Sequence, residues 1–88
     1  VSTLTNLAAV RLLLGRADEA LENARQALAA EPDNADALLH QATALARLGR
    51  HEAARRGFER LLALNERHPA AWPRLAETYK ALNRRDDA

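Results

Sequence analysis

Cysteine is absent from the 88 residues, so no disulfide staples the chain and no thiolate is available to hold a metal. Glycine and proline number three each, too few for a loop-rich or low-complexity chain, and the backbone is expected to lie almost wholly in regular structure. No run approaches the ~18 consecutive apolar residues of a membrane-spanning helix, and no charged-then-apolar segment opens the chain as a secretory signal would. Thirteen Lys and Arg stand against twelve Asp and Glu, a formal charge of +1, so the field that draws in nucleic acid or an anionic membrane is missing. The three histidines, His40, His51 and His68, fall in separate segments and form no HExxH or comparable ligand set. There is no phosphate-cradling glycine loop, nucleophile elbow or catalytic dyad. The expectation is a chain without cofactor, metal, nucleic-acid partner, membrane partner or catalytic activity. A single domain of this length also has too little volume for a deep catalytic cavity beside its core, so function belongs on the surface.

What is present is helical: 48% of the residues are hydrophobic and 28% charged, with Ala, Leu, Arg and Glu dominant. The chain repeats itself. "LLLGRADEAL" at 12–21 is echoed by "ALARLGRHEAA" at 44–54 and more faintly by "YKALNRRDDA" at 79–88. Gly15 and Gly49 are 34 residues apart, and the offset holds without insertion along the whole chain. Leu4 meets Leu38 and Trp72, Ala8 meets Ala42 and Ala76, Arg16 meets Arg50 and Arg84, and Ala20 meets Ala54 and Ala88. The chain therefore divides into one unit at 1–34, a second at 35–68 and a partial third at 69–88. Because it starts at Val1 and not at methionine, it is expected to be a piece of a longer protein.

Apolar residues recur at helical spacing within each unit, Leu4, Leu7, Ala8 and Leu14 and then Ala17, Ala20, Leu21, Ala24 and Leu28, so each unit is predicted to be a helix pair. Helices are expected at about 2–14, 17–30, 35–48, 51–64 and 70–82, with a stub from about 85. Gly15 and Gly49 end the first helix of their units in the left-handed conformation that a side chain opposes, and Asn83 is the nearest non-glycine substitute in the third copy. Pro32 blocks continuation, and Asp33 or Asn34 caps the third helix. Pro69 suits a first turn, whereas Pro73 lacks an N–H to donate, so the fifth helix is expected to begin slightly after Pro69. Trp72 and Tyr79, seven residues apart, are assigned to the buried stripe with Leu4 and Leu38. His51 is expected to pack at the start of its helix and His68 to sit in a loop. Arg55, Arg56 and Arg60 are expected to form a salt-bridged outer face, with Glu52–Arg56 and Arg55–Glu59 pairs four residues apart.

These residues resemble the tetratricopeptide repeat over all 88 positions, at that family's own period of 34. The matching residues are Leu7, Ala8, Gly15, Ala20, Ala27 and Pro32 in the first unit, Ala42, Leu45, Gly49, Ala54 and Phe58 in the second, and Trp72, Leu75, Ala76, Tyr79 and Ala88 in the third. Arg11, Gln41, Ala24 and Glu66 depart from the family's large aromatic, leucine, phenylalanine and proline. The resemblance implies an all-α, right-handed α-solenoid of antiparallel helix hairpins, serving as a noncatalytic protein–protein interaction scaffold with a concave groove for a peptide segment or partner protein. Mapped onto this chain, the groove takes Asn6, Leu39, His40, Thr43, Arg47, Arg74, Glu77 and Lys80, together with Ser2, Thr5, Ala9, Leu12, Asp36 and Ala70. One subclass of relatives grips the C-terminal carboxylate of heat-shock chaperones through two lysines, two asparagines and an arginine. Of those positions only Arg74 matches, the others holding Thr5, Ala9, His40 and Ala70, so that clamp is expected to be absent. The alternative is a structural or oligomerisation segment, self-associating through open repeat ends or stacking on a fused domain of its parent.

Overall fold

A computed structural model describes the chain from Ser2 to Asp86, with side chains from Thr3 to Asn83. Five helices follow one another: α1 (Ser2–Leu13), α2 (Ala17–Ala30), α3 (Ala35–Arg47), α4 (His51–Leu64) and α5 (Ala71–Asp86). Strands are absent among the described residues. Short links at 14–16 and 48–50 reverse the chain inside the α1–α2 and α3–α4 hairpins.

Both links have the same chemistry. Gly15 and Gly49 take φ of +78° and +84°, where a β-carbon would be strained. The amides of Gly15 and Arg16 return to the carbonyls of Leu12 and Arg11 at 3.2 and 2.7 Å. Those of Gly49 and Arg50 return to Ala46 and Leu45 at 3.1 and 2.9 Å. Each is a Schellman closure that satisfies carbonyls left over at the helix end. At α3 the side chain of Asn34 accepts from the amide of Ala37 at 3.0 Å, so Asn34, of the two candidates, is the cap. Helix α5 begins at Ala71, which places Pro73 in the first turn, where its missing N–H leaves no bond unmade.

The third copy of the turn does not form. Helix α5 runs through Asn83 to Asp86, and among the described residues no non-glycine adopts positive φ. Asparagine makes the left-handed state less costly without making it free, and continued helix keeps each backbone bond. The equivalences of Arg84 and Ala88 with earlier residues, and the placement of the Ser2 side chain, lie outside the described residues.

Packing follows from the small size of the core residues. Most buried apolar positions are alanine, with Phe58, Leu38 and Leu61 the largest fully buried side chains. One cluster joins Ala8, Leu12, Ala17 and Ala20 to Ala44 of α3; the other joins Leu38 and Ala42 of α3 to Ala54, Phe58 and Leu61 of α4 and to Leu75 of α5. Helix α3 thus buries two stripes, one through Ala44 against α1 and α2, and one through Leu38 and Ala42 against α4. Helix α5 buries Ala71, Leu75 and Thr78, but Trp72 and Tyr79 stand 56% and 43% exposed, contrary to their assignment to the core. The positions equivalent to Trp72 and Ala76, Leu38 and Ala42, are covered by the helix that follows α3; among the described residues no helix follows α5. The Trp72 indole N–H instead donates to the Glu66 carbonyl at 2.7 Å and the Tyr79 hydroxyl to Glu59 at 2.9 Å. At the other end Val10 is 50% exposed, although its equivalent in α3, Ala44, is fully buried.

Arg11 is accommodated by a local exchange of partners. Where the second hairpin has Leu45 and Gly57, the first has Arg11 and Asn23, and the Arg11 guanidinium donates to Asn23 Oδ1 at 2.7 Å while lying 3.6 Å from Glu19. On the outer face of α4, Arg55 pairs with Glu59 at 2.8 Å and also with Glu52. Glu52 therefore turns to Arg55, three residues on, in place of the expected Arg56, and that hydrogen bond holds its carboxyl below the usual carboxylate range. Arg60 donates to the Pro32 carbonyl at 3.2 Å.

Candidate functional site

Helices α1, α3 and α5 form one layer and α2 and α4 the other. Helix α1 touches α3, and α3 touches α5, whereas α2 and α4 do not meet. A stack whose inner helices are in mutual contact while the outer ones splay curves toward the inner layer, and the concave side belongs to α1, α3 and α5. The third face of α3, carrying Leu39, Thr43, Ala46 and Arg47, turns to that side, since helical periodicity sets it off from the two buried stripes.

Two adjoining cavities open there. One, of about 220 Å³, is bounded by Ala9, Leu12 and Leu13 of α1, by Leu39, His40, Thr43 and Arg47 of α3, and by Arg74 of α5. The other, of about 290 Å³, lies among Thr43, Ala46 and Arg47 of α3, His51 and Phe58 of α4, and Arg74, Glu77 and Thr78 of α5. Thr43, Arg47 and Arg74 belong to both and form the wall between them. Of the residues expected on the groove, Leu39, His40, Thr43, Arg47, Arg74 and Glu77 are brought together here. Asn6 and Lys80 are exposed on α1 and α5 and border neither cavity.

The polar groups of the wall are partly committed. The hydroxyls of Thr43 and Thr78 donate to the carbonyls of Leu39 and Arg74, one turn back in their own helices, at 2.8 and 2.9 Å. They present methyl groups and leave only acceptor capacity. Arg47 Nη1 donates to the Leu12 carbonyl at the end of α1, an arrangement favoured by the negative pole of that helix. Burial holds His40 below the ordinary histidine value, with Asp36 opposing the shift and Arg74 adding to it. His51 Nδ1 is enclosed without a hydrogen-bond partner. Among the described residues, no group of three or more His, Asp or Glu is placed to hold a metal, and no helix is long and apolar enough to cross a membrane.

Leu13, Ala46, His51, Phe58 and Thr78 line the cavities without having been expected there. Helical spacing on the inner helices contains a signal for Leu13, Ala46 and Thr78. His51 and Phe58 come from the outer layer, reaching the concave side between α3 and α5, and only the stacking of three helices reveals them.

The sequence matches no curated protein. Among solved structures, the first repeat domain of Spaghetti (RPAP3), bound to the HSP90 peptide SRMEEVD, superposes with a TM-score of 0.87 at 25% identity, covering 91% of this chain and 64% of that one. The first such domain of human RPAP3, solved by NMR, superposes with a TM-score of 0.90 at 24% identity, covering 97% of this chain and 67% of that one. The present chain thus spans about two thirds of each of these relatives. The tetratricopeptide repeat family model matches residues 11–72, a span that takes in both glycine turns and all of α2, α3 and α4. By that match and by its hairpin stack, the chain belongs to the tetratricopeptide repeat family.

Proposed function

We propose that the chain is a noncatalytic interaction scaffold that holds an extended peptide segment of a partner protein along the face made by α1, α3 and α5. In this reading residues 1–34 and 35–68 are whole repeats and 69–88 a partial third. The observation that carries it is the pair of adjoining cavities with a common wall of Thr43, Arg47 and Arg74. The likeness to the Spaghetti domain, which holds an HSP90 peptide, supports a peptide as the occupant. The chaperone carboxylate clamp is a separate matter: its positions here hold Thr5, Ala9, His40, Ala70 and Arg74. We therefore expect a partner recognised without its C-terminal carboxylate.

Selection from a random-peptide library on the immobilised chain tests both statements. Enriched peptides should lose at least tenfold in affinity to the Ala9→Arg variant, whose side chain fills the smaller cavity at little cost in helix propensity. Equal binding to wild type and variant sinks the groove. Titration with SRMEEVD as the free acid should show no micromolar binding; such binding, lost on amidation, restores the clamp.

A second reading, self-association, has a specific observation in its favour: Trp72 and Tyr79 at one end, and Val10, Leu13 and Leu14 at the other, are exposed. Neither end offers an outer-layer helix to the other, so copies would have to meet α5 to α5 or α1 to α5, outside the stacking used within the chain. Light scattering over a concentration series should show mass growth that a Trp72→Glu, Tyr79→Glu variant abolishes. A constant monomer mass at millimolar concentration excludes it.

A further inference from the structure

The two cavities differ in chemistry. Beside the shared Thr43, Arg47 and Arg74, the smaller is walled by Ala9, Leu12, Leu13, Leu39 and His40. The larger has Phe58 at its base, with two guanidinium groups, one carboxylate and the imidazole of His51 around it. Ion pairs within 4 Å among the described residues are made by Arg11, Arg16, Arg25 and Arg55; Arg47, Arg74 and Glu77 make none. The wall therefore keeps an excess of positive charge that no ion pair among the described residues neutralises, in a chain whose total is only +1. Arg47 is already fixed by its bond to the Leu12 carbonyl, which leaves its remaining N–H groups directed without further loss of side-chain freedom.

Resting on the groove reading, we infer that the groove selects a two-part internal motif in an extended segment: an aliphatic side chain seated among Leu12, Leu13 and Leu39, and an acidic side chain two residues away, held over Phe58 by Arg47 and Arg74. The spacing follows from the common wall. Thr43, Arg47 and Arg74 bound both cavities, so one layer of side chains separates them, a distance spanned by side chains at i and i+2 of an extended chain, ~6.6 Å apart on one face. The carboxylate receives charge-assisted bonds from the two guanidinium groups. Glu77, one turn after Arg74 on α5, also lines the cavity and disfavours the acid. It narrows the preference to a segment that places its carboxylate toward Arg47 and Arg74.

The test uses fluorescein-labelled nine-residue peptides, amidated at the C-terminus, with the core Leu-Ser-Glu, Leu-Ser-Gln, Leu-Ser-Lys or Ala-Ser-Glu between Gly-Ser-Gly flanks. Anisotropy should show Leu-Ser-Glu binding about tenfold tighter than Leu-Ser-Gln, the worth of one charge-assisted pair. Ala-Ser-Glu should be weaker by about tenfold or more, for the lost burial of one leucine, and Leu-Ser-Lys weakest. Arg74→Gln should remove the Glu-over-Gln preference, whereas Glu77→Gln should strengthen Leu-Ser-Glu severalfold and leave Leu-Ser-Gln unchanged. Both positions are exposed on α5, so neither change threatens the fold. Equal binding of the Glu and Gln peptides, with both lost to Ala9→Arg, overturns the motif and leaves the groove standing. Binding indifferent to Ala9→Arg overturns both, and no binding of Leu-Ser-Glu at about 1 mM, the weak end of specific recognition, overturns the motif.

Discussion

Replacing Phe58 with alanine is expected to cost about 3–5 kcal/mol and to lower the melting temperature by roughly 12–40 °C, at ~4–8 °C per kcal/mol for a domain of this size. Phe58 is 1% exposed and the bulkiest of the fully buried side chains, in a cluster where it bridges Leu38 and Ala42 of α3 to Leu75 of α5. Its loss cannot be repaired by rearrangement. Ala42, Ala54 and Ala71 around it have no rotamers with which to fill the void, and the new space would open into the cavity of about 290 Å³ that Phe58 now floors. Phe58→Leu retains most of the buried area, and a drop of about 1–2 kcal/mol is expected for it. Far-UV circular dichroism on heating, with a urea titration to extract free energies, checks both. A fall of under ~5 °C for the alanine variant would show that the two hairpins hold together without this ring.

The sequence announced the hairpins because their signals are local. Each glycine turn needs one left-handed residue and the helices on either side need only their own periodicity, so Gly15, Gly49, Pro32 and a cap at Asp33 or Asn34 could be placed before any packing was known. The same local logic failed at Asn83, where the helix continues, and at Trp72 and Tyr79, which are exposed. In each case the residue type fits the repeat, but its state depends on a neighbouring helix, and position in a repeat carries no information about whether that neighbour is there. Burial of the two stripes on α3 by α2 and α4, against one stripe on α5, makes the dependence visible.

The candidate site divides along the same line. Leu39, Thr43 and Arg47 share a helical face and were placed on the groove by the family resemblance, as were Arg74 and Glu77 on α5. That these two sets meet at one wall depends on how α5 leans on α3, and that Phe58 and His51 reach the same cavity depends on α4 lying behind both. Asn6 and Lys80 satisfy the spacing equally well, at the repeat positions of His40 and Arg74 and of Leu12 and Ala46, and yet border neither cavity. Spacing selects a face; which part of the face encloses volume is decided by packing.

The closest approach in that packing supplies the second large effect, at Gly57. In a helix open to solvent, glycine to alanine gains about 1 kcal/mol, so Gly57→Ala would ordinarily be stabilising. Here a β-carbon at 57 would stand 2.9 Å from the Ala42 methyl and 3.5 Å from its Cα, against the ~3.5–4.0 Å that carbon atoms prefer. Ala42 is fully buried and its methyl has nowhere to turn, so α3 and α4 must move apart along the seam they bury. Overpacking of this kind costs about 1–3 kcal/mol, which cancels or exceeds the propensity gain. Gly57→Val adds two further methyls with almost no gain in propensity, and its expected loss is about 2–3 kcal/mol. The first hairpin answers the same position differently, with Asn23 bonded to Arg11, so the glycine is required by this particular seam and not by the repeat. Exchanging the methyl across the seam isolates the contact: Ala42→Gly with Gly57→Ala should be more stable than the two single changes sum to, by about 1–2 kcal/mol in a double-mutant cycle. If Gly57→Ala alone raises the melting temperature and the cycle shows no coupling, the two helices are not held at the separation on which the cavity floor at Phe58 depends.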